Sequence, residues 1–177
     1  MKIASCIKGF EDIAAREVSG KKIAEGRVAF SGHIKKFRTV NMIYELYNKF
    51  IFTNIDDIIT EVLKCKFNKK LRIYCNREGT HQFKSIDVER KASEELKYRG
   101  YETNFKDYND TLYIDIIDNT CFIGNLIKEN LSKRHYRVKL RPGTTNACLA
   151  ASVLELINLK KGEIFLDPLC QDGIIAI

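Results

Sequence analysis

Five cations, Lys64, Lys66, Lys69, Lys70 and Arg72, occupy the nine positions from Lys64 to Arg72, with no acid between them. Six more, Lys128, Lys133, Arg134, Arg137, Lys139 and Arg141, fall within fourteen positions that hold one acid, Glu129, and enclose His135 and Tyr136. Runs of this kind neutralise phosphates, because each cation brought to a polyanion releases a condensed counterion. The alternative is a solvated, lysine-rich surface. Between the runs, Arg77, His81 and Lys84 stand in or beside a loop, and Arg90 and Lys91 lie on the helix after it. The cations there suit a phosphate backbone, whereas His81 serves equally well as a residue hydrogen-bonded to backbone. Phe83 and Tyr136 are rings able to stack on unpaired bases, although Phe83 is better suited to packing.

Near the C-terminus, Asp167-Pro168-Leu169-Cys170-Gln171-Asp172-Gly173 follows a short apolar run, Ile164 to Leu166. A buried strand that delivers a glycine turn to a helix N-terminus lets backbone N–H groups approach a ligand. Asp167, at the strand's end, suits organising that turn rather than acting as a base. Cys170 has no base at local spacing and is not read as a nucleophile. The six cysteines, at 6, 65, 75, 121, 148 and 170, are never closer than ten positions, so no Cys-x-x-Cys zinc pair exists and reduced thiols are expected. Asp56-Asp57 reads as a helix cap, not a metal site.

The elements that would position these residues follow from apolar spacing. Ile3 to Ile7 predicts a strand; Phe10, Ile13, Ala14 and Val18 predict a helix closed by Gly20. Two short strands flank Gly26, with Val28 and Phe30 on one face. Ile34, Phe37, Val40, Ile43 and Tyr44 predict a helix over 34–46, followed by a β-rich 50–55. That order is the split βαβ pattern of a ferredoxin-like unit. A helix capped by Asp56 and Asp57 carries Ile58, Ile59, Val62 and Leu63. Leu71, Ile73 and Cys75 alternate as a strand. Ser85 and Asp87 are cap candidates for a helix from Ile86 to Arg99, with Val88, Ala92 and Leu96 as its stripe and Gly100 as its stop. Residues 112–123 predict a hairpin turning at Asp118-Asn119. Arg141-Pro142-Gly143 punctuates a basic linker, after which Ala147, Ala150, Ala151, Leu154 and Ile157 predict a mostly buried helix. Ile164 to Leu166 predicts a short buried strand.

A chain of 177 residues with 45% hydrophobic and 30% charged residues has enough apolar mass for a core, which excludes disorder. Two Pro and ten Gly exclude collagen-like and linker readings. No apolar run approaches the ~20 residues that cross a bilayer, and no secretory signal opens the chain, so a cytoplasmic protein without membrane contact is expected. The net charge of +7 favours a polyanionic partner.

The segment Leu71-Arg72-Ile73-Tyr74-Cys75-Asn76-Arg77-Glu78-Gly79-Thr80-His81-Gln82-Phe83-Lys84-Ser85-Ile86-Asp87-Val88-Glu89 resembles the central stretch of the THUMP domain, an RNA-binding module of tRNA-modifying enzymes. Thr111 to Gly124 resembles its closing strands. Residues 1–55, with Lys8-Gly9-Phe10-Glu11-Asp12-Ile13-Ala14, resemble the ferredoxin-like domain that accompanies it. Leu140-Arg141-Pro142-Gly143, the Ala-rich helix and the Asp167 to Gly173 turn resemble the start of class I S-adenosylmethionine-dependent RNA methyltransferases that act on guanosine N2 in tRNA. The chain departs from that family at Gln171, Asp172 and Ile174, where glycine, serine and threonine are usual. The family's ribose-binding acid and Asn/Asp-Pro-Pro-aromatic motif do not occur in the 177 residues.

The resemblance implies an α+β fold in four parts: a ferredoxin-like domain over 1–55, a THUMP domain over 56–126, a basic linker over 127–143, and the truncated first βα unit of a Rossmann-like methyltransferase domain over 144–177. It implies Asp167, Cys170 and Gly173 at the S-adenosylmethionine site of the complete enzyme. Lys69, Lys70, Arg77, Lys84, Arg90, Lys91, Lys133, Arg134 and Arg137 are the expected RNA contacts, with the tRNA acceptor end as partner. No catalytic residue and no metal are expected in this chain, which alone would be inactive. A lone βα unit exposes sheet edges, so 144–177 would be poorly ordered or covered by a second copy in a homodimer. The alternative function is a stand-alone RNA-binding adaptor that serves a separate enzyme.

Overall fold

The computed structural model describes residues 1–134, 143–168, 170 and 173–175. It is a mixed α/β structure with an eight-stranded sheet, and the chain forms two compact units, Met1–Ile43 with Lys128–Ile177 and Tyr44–Ile127.

In the first unit, β1 (Lys2–Cys6) pairs antiparallel with β3 (Arg27–Phe30), which pairs antiparallel with β2 (Lys21–Ala24). Helix α1 (Glu11–Val18) buries Ile13, Ala14 and Val18, as its spacing predicts. It stops at Ser19, which takes the left-handed φ of 54°, and not at Gly20. Gly20 is instead needed for close packing, since a Cβ there would stand 2.3 Å from the Ala29 carbonyl oxygen. Val28 and Phe30 face one core with Ala4, Ala14, Phe37 and Val40.

The helix expected over 34–46 is absent. Residues 34–39 are irregular and β4 (Val40–Ile51) is a twelve-residue strand. Apolar spacing of three to four fits both a short helix and a half-buried strand, and here partners remote in sequence decide. The Asn41 carbonyl accepts the Leu131 N–H at 2.9 Å, so its lone pairs serve tertiary pairing instead of a helical ladder. The unit therefore lacks the second helix of the split βαβ pattern.

Helix α4 (Ala147–Ile157) is capped by Asn146, whose side chain accepts the Cys148 and Leu149 N–H groups. It is buried on one face at Ala147, Cys148, Ala150 and Ser152, while Leu156 and Ile157 are exposed, so it is less buried than expected. Ile164 to Leu166 is not a strand, and Ile164 is 96% exposed. A parallel strand needs neighbours for its ladder, and the described residues offer it none.

In the second unit, β5 (Lys70–Glu78) pairs parallel with β6 (Glu102–Thr103) and β7 (Asp110–Ile117), and β7 pairs antiparallel with β8 (Thr120–Lys128). The β7–β8 turn is the predicted Asp118-Asn119, with Asp118 at φ 47°. Helices α2 (Ile55–Val62) and α3 (Ser85–Tyr98) cover one face. Val88, Ala92 and Leu96 meet Leu71, Ile73, Cys75 and the β7 residues Leu112, Ile114 and Ile116 in one core. Asn54, not Asp56, caps α2; Asp57 completes a capping box from the third helical position, and Asp56 instead pairs with Lys91. Asp87 caps α3 by accepting the Lys84 N–H at 2.8 Å, and Ser85 is its first helical residue. On the far face of β7, the buried Asp115 accepts from Tyr44 Oη at 3.0 Å and Asn76 Nδ2 at 2.9 Å. No helix among the described residues is long and apolar enough to cross a membrane.

Candidate functional site

Residues 79–84 connect β5 to α3, and with Arg77 at the end of the strand they are held in one posture. Gly79, at φ +104°, lies so close to the hairpin turn that a Cβ would meet Asp118 Oδ1 at 2.6 Å. Arg77 Nη1 donates to the Gly79 carbonyl at 3.1 Å and to His81 Nδ1 at 2.9 Å. A guanidinium only donates, so Nδ1 accepts and the ring's proton sits on Nε2, which donates to the Asp118 carbonyl at 2.7 Å. His81 thus bonds to backbone, and its ring also packs on Phe83 (centroids 5.2 Å apart) and on Phe52 (5.8 Å). Phe52 is pinned by its own N–H to the Asn119 carbonyl at 3.0 Å. Phe83 is half-buried and packs against the core, as its composition favoured.

The structure sorts the expected RNA-contacting cations by whether an acid neutralises them. Lys70 pairs with Asp107 at 2.5 Å, Arg90 with Asp87 at 3.5 Å, and Lys91 with Asp56. Lys69, Arg77 and Lys84 have no carboxylate partner among the described residues. Lys84 is exposed at the loop's end; Arg77 braces the loop, yet its Nε is buried without a partner. Arg77 and Lys84 thus stand at the two ends of this segment with no acidic side chain paired to either among the described residues. In the first unit, Lys133 is exposed and likewise without an acidic partner among the described residues, whereas Arg134 donates to the carbonyls of Phe37 (3.4 Å) and Arg38 (2.7 Å) and so braces that segment. Arg137, with His135 and Tyr136, lies outside the described residues.

Beside the loop is a cleft of about 450 Å³ lined by Phe52, Thr53, Asn54, Ile55, Thr80, His81, Gln82, Phe83 and Asn119. Reading the sequence missed Phe52 and Asn119, which reach the loop only through tertiary pairing and carry no local signal.

At the chain's end, Gly173 takes φ +72° and donates its N–H to the Cys170 carbonyl at 2.6 Å, while Ile174 is buried against Ala147 and Ala150. Cys170 is exposed and Asp167 partly so; Gln171 and Asp172 lie outside the described residues. The positive φ of Gly173 fits the close backbone approach that an S-adenosylmethionine site requires. Burial pushes the Cys6 and Cys75 thiols up to about 12 and Cys148 to about 11, and raises Cys121 further. No cluster of three or more metal-ligating side chains occurs among the described residues.

Comparison with known proteins adds to this geometry. Residues 134–177 match the family described as UPF0020, RMKL-like, methyltransferase domain. The chain is 28% identical to the tRNA (guanine(6)-N2)-methyltransferase of Archaeoglobus fulgidus, a match covering 98% of this chain and 51% of that protein. It is 30% identical to the tRNA (guanine(6)-N2)-methyltransferase of Methanocaldococcus jannaschii, covering 96% and 52% respectively. The chain thus spans about half the length of these curated relatives. Its fold is that of the crystal structure of TrmN from Thermus thermophilus, with a TM-score of 0.74 at 24% identity over 99% of this chain and 59% of that one.

Proposed function

We propose that these residues are the RNA-recognition portion, followed by the opening of the catalytic domain, of an S-adenosylmethionine-dependent methyltransferase acting on guanosine N2 of tRNA. Residues 56–126 are the THUMP-type module, residues 1–55 its companion, and the tRNA acceptor end the feature gripped. The observation that carries this reading is the Arg77 to Lys84 loop, fixed by its own hydrogen bonds and presenting cations that no acid among the described residues neutralises. The similarity to enzymes named for tRNA guanine-N2 methylation along nearly the whole chain supports it. Single-stranded ends are the natural target, because the A-form major groove is too narrow for side chains to read.

Asp167, Cys170 and Gly173 would hold the amino-acid end of the cofactor, which when bound supplies an electrophilic methyl carbon to the exocyclic amine. The protein's share of that reaction is positioning. In this reading the residues that hold the target base are not among these 177, the chain alone transfers no methyl group, and it works in the cytoplasm. Filter binding of tRNA at low salt, with and without its single-stranded 3′ tail, tests the reading. Weaker binding of the shortened tRNA is expected. Equal affinity overturns acceptor-end recognition, and no binding of either overturns RNA recognition altogether.

A further inference from the structure

The cleft beside the Arg77 to Lys84 loop has a composition that singles out one kind of ligand. Its floor is aromatic: Phe52, His81 and Phe83 form a triangle of rings with centroids 5.2 to 6.1 Å apart. At its rim are the hydroxyl of Thr80 and the amides of Gln82 and Asn119, all exposed and none engaged in a side-chain hydrogen bond among the described residues. None of its lining residues is Asp, Glu, Lys or Arg. A phosphate or carboxylate ligand would want a cation in the lining, and a purely apolar ligand would leave the amide rim unpaired. A flat heterocycle with donors and acceptors around its edge satisfies both surfaces. The volume, about 450 Å³, lies within the range of small-ligand pockets. Arg77, which donates to the lining residue His81, and Lys84, next in the chain to the lining residue Phe83, have no acidic partners among the described residues.

We propose that this cleft is a nucleobase-binding subsite, taking one unpaired base of a single-stranded RNA segment against the Phe52, His81 and Phe83 rings while Arg77 and Lys84 meet its phosphates. The proposal rests on the RNA-recognition reading above and adds where a base is held. Tautomer and posture support it: with Nε2 donating to Asp118 and Nδ1 accepting from Arg77, His81 has both nitrogens occupied. It is left to act through its ring face. The edge contacts fall to Thr80, Gln82 and Asn119, whose amides and hydroxyl present both donors and acceptors and so tolerate more than one base.

The test uses the 177-residue protein and an RNA hairpin with a single-stranded 3′ tail, compared with the same hairpin whose tail is abasic and therefore equally charged. Fluorescence anisotropy at low salt should show roughly tenfold weaker binding of the abasic tail, the loss of one stacked base. Thr80→Trp, at an exposed position, fills the cleft; it should bring the normal tail down to the affinity that the unaltered protein shows for the abasic tail. His81→Ala, which removes one ring of the cleft, should also weaken binding of the normal tail, and if it does not fold, Thr80→Trp carries the test by itself. Equal binding of both tails by the unaltered protein overturns the subsite while leaving phosphate-driven RNA recognition standing. Discrimination that survives in Thr80→Trp also overturns it, because the base is then held elsewhere. No binding of either hairpin overturns the subsite together with the reading beneath it.

Discussion

Glu11, buried at the start of α1, accepts the Gly26 N–H through Oε1 at 2.7 Å, tying the first helix to the β2–β3 turn. The same oxygen accepts the Gly9 N–H at 3.1 Å, and Oε2 accepts from Lys22 Nζ at 3.2 Å. Burial alone would raise this carboxyl, but the amides of Gly26, Gly9 and Glu11 itself, with Lys22, outweigh it and hold the group at about 2. A carboxyl whose folded value lies below its unfolded one stabilises the fold fully above the unfolded value and loses that contribution as pH falls through the folded one. Stability should therefore decline between about pH 4.5 and about pH 2, by roughly 3 kcal/mol from this group. Urea midpoints across that range should slope in the unaltered protein and flatten in Glu11→Gln. Equal slopes in the two would contradict the assignment.

Tyr44→Phe removes a hydroxyl that donates to the fully buried Asp115 and leaves the Tyr113 ring contact, with centroids 4.9 Å apart, in place. Loss of one donor to a buried carboxylate should destabilise the protein by about 1 to 3 kcal/mol. Denaturant unfolding should show a lower midpoint with an unchanged m-value.

Lys84 and Lys70 differ in whether an acid answers them, and RNA binding should reveal it. Lys84→Ala should reduce the slope of log affinity against log salt by about 0.7, the value for one single-strand phosphate contact. Lys70→Ala, which also frees Asp107, is expected to shift affinity without removing a phosphate contact. A Lys84→Ala slope equal to that of the unaltered protein would place the phosphates elsewhere.

Thiol labelling should follow burial. Cys170 is exposed and Cys65 half-buried, whereas Cys6, Cys75, Cys121 and Cys148 are buried, with thiols raised chiefly by that burial. At pH 8, a disulfide reagent is expected to modify Cys170 first and the four buried thiols only as urea unfolds the chain. Rapid native labelling of Cys75 or Cys121 would speak against the core described.

Much of the second unit is legible in the sequence because its signals are local. Leu71, Ile73 and Cys75 alternate, Val88, Ala92 and Leu96 recur at helical spacing, and Asp118-Asn119 is a turn by its chemistry. The segment 34–46 misleads because Phe37, Val40, Ile43 and Tyr44 satisfy helical spacing while the partners of the strand, such as Leu131 for Asn41, lie far along the chain. Ile164 to Leu166 reads as a strand by composition, but a ladder requires neighbours that composition does not supply. At the candidate site, Arg77 and Lys84 can be chosen by charge, yet only coordinates show that Lys70, Arg90 and Lys91 already have acids beside them. Phe52 and Asn119 join the cleft through the sheet, and no spacing rule points to them.

The left-handed Gly79, pressed against Asp118, makes the loop an extension of the β7–β8 hairpin. Such a preorganised surface has little conformational freedom left to surrender when a ligand arrives, so more of the contact energy survives as affinity. A side chain at position 79 would push the loop off its support, and recognition would then carry the entropic penalty of ordering it anew at each encounter.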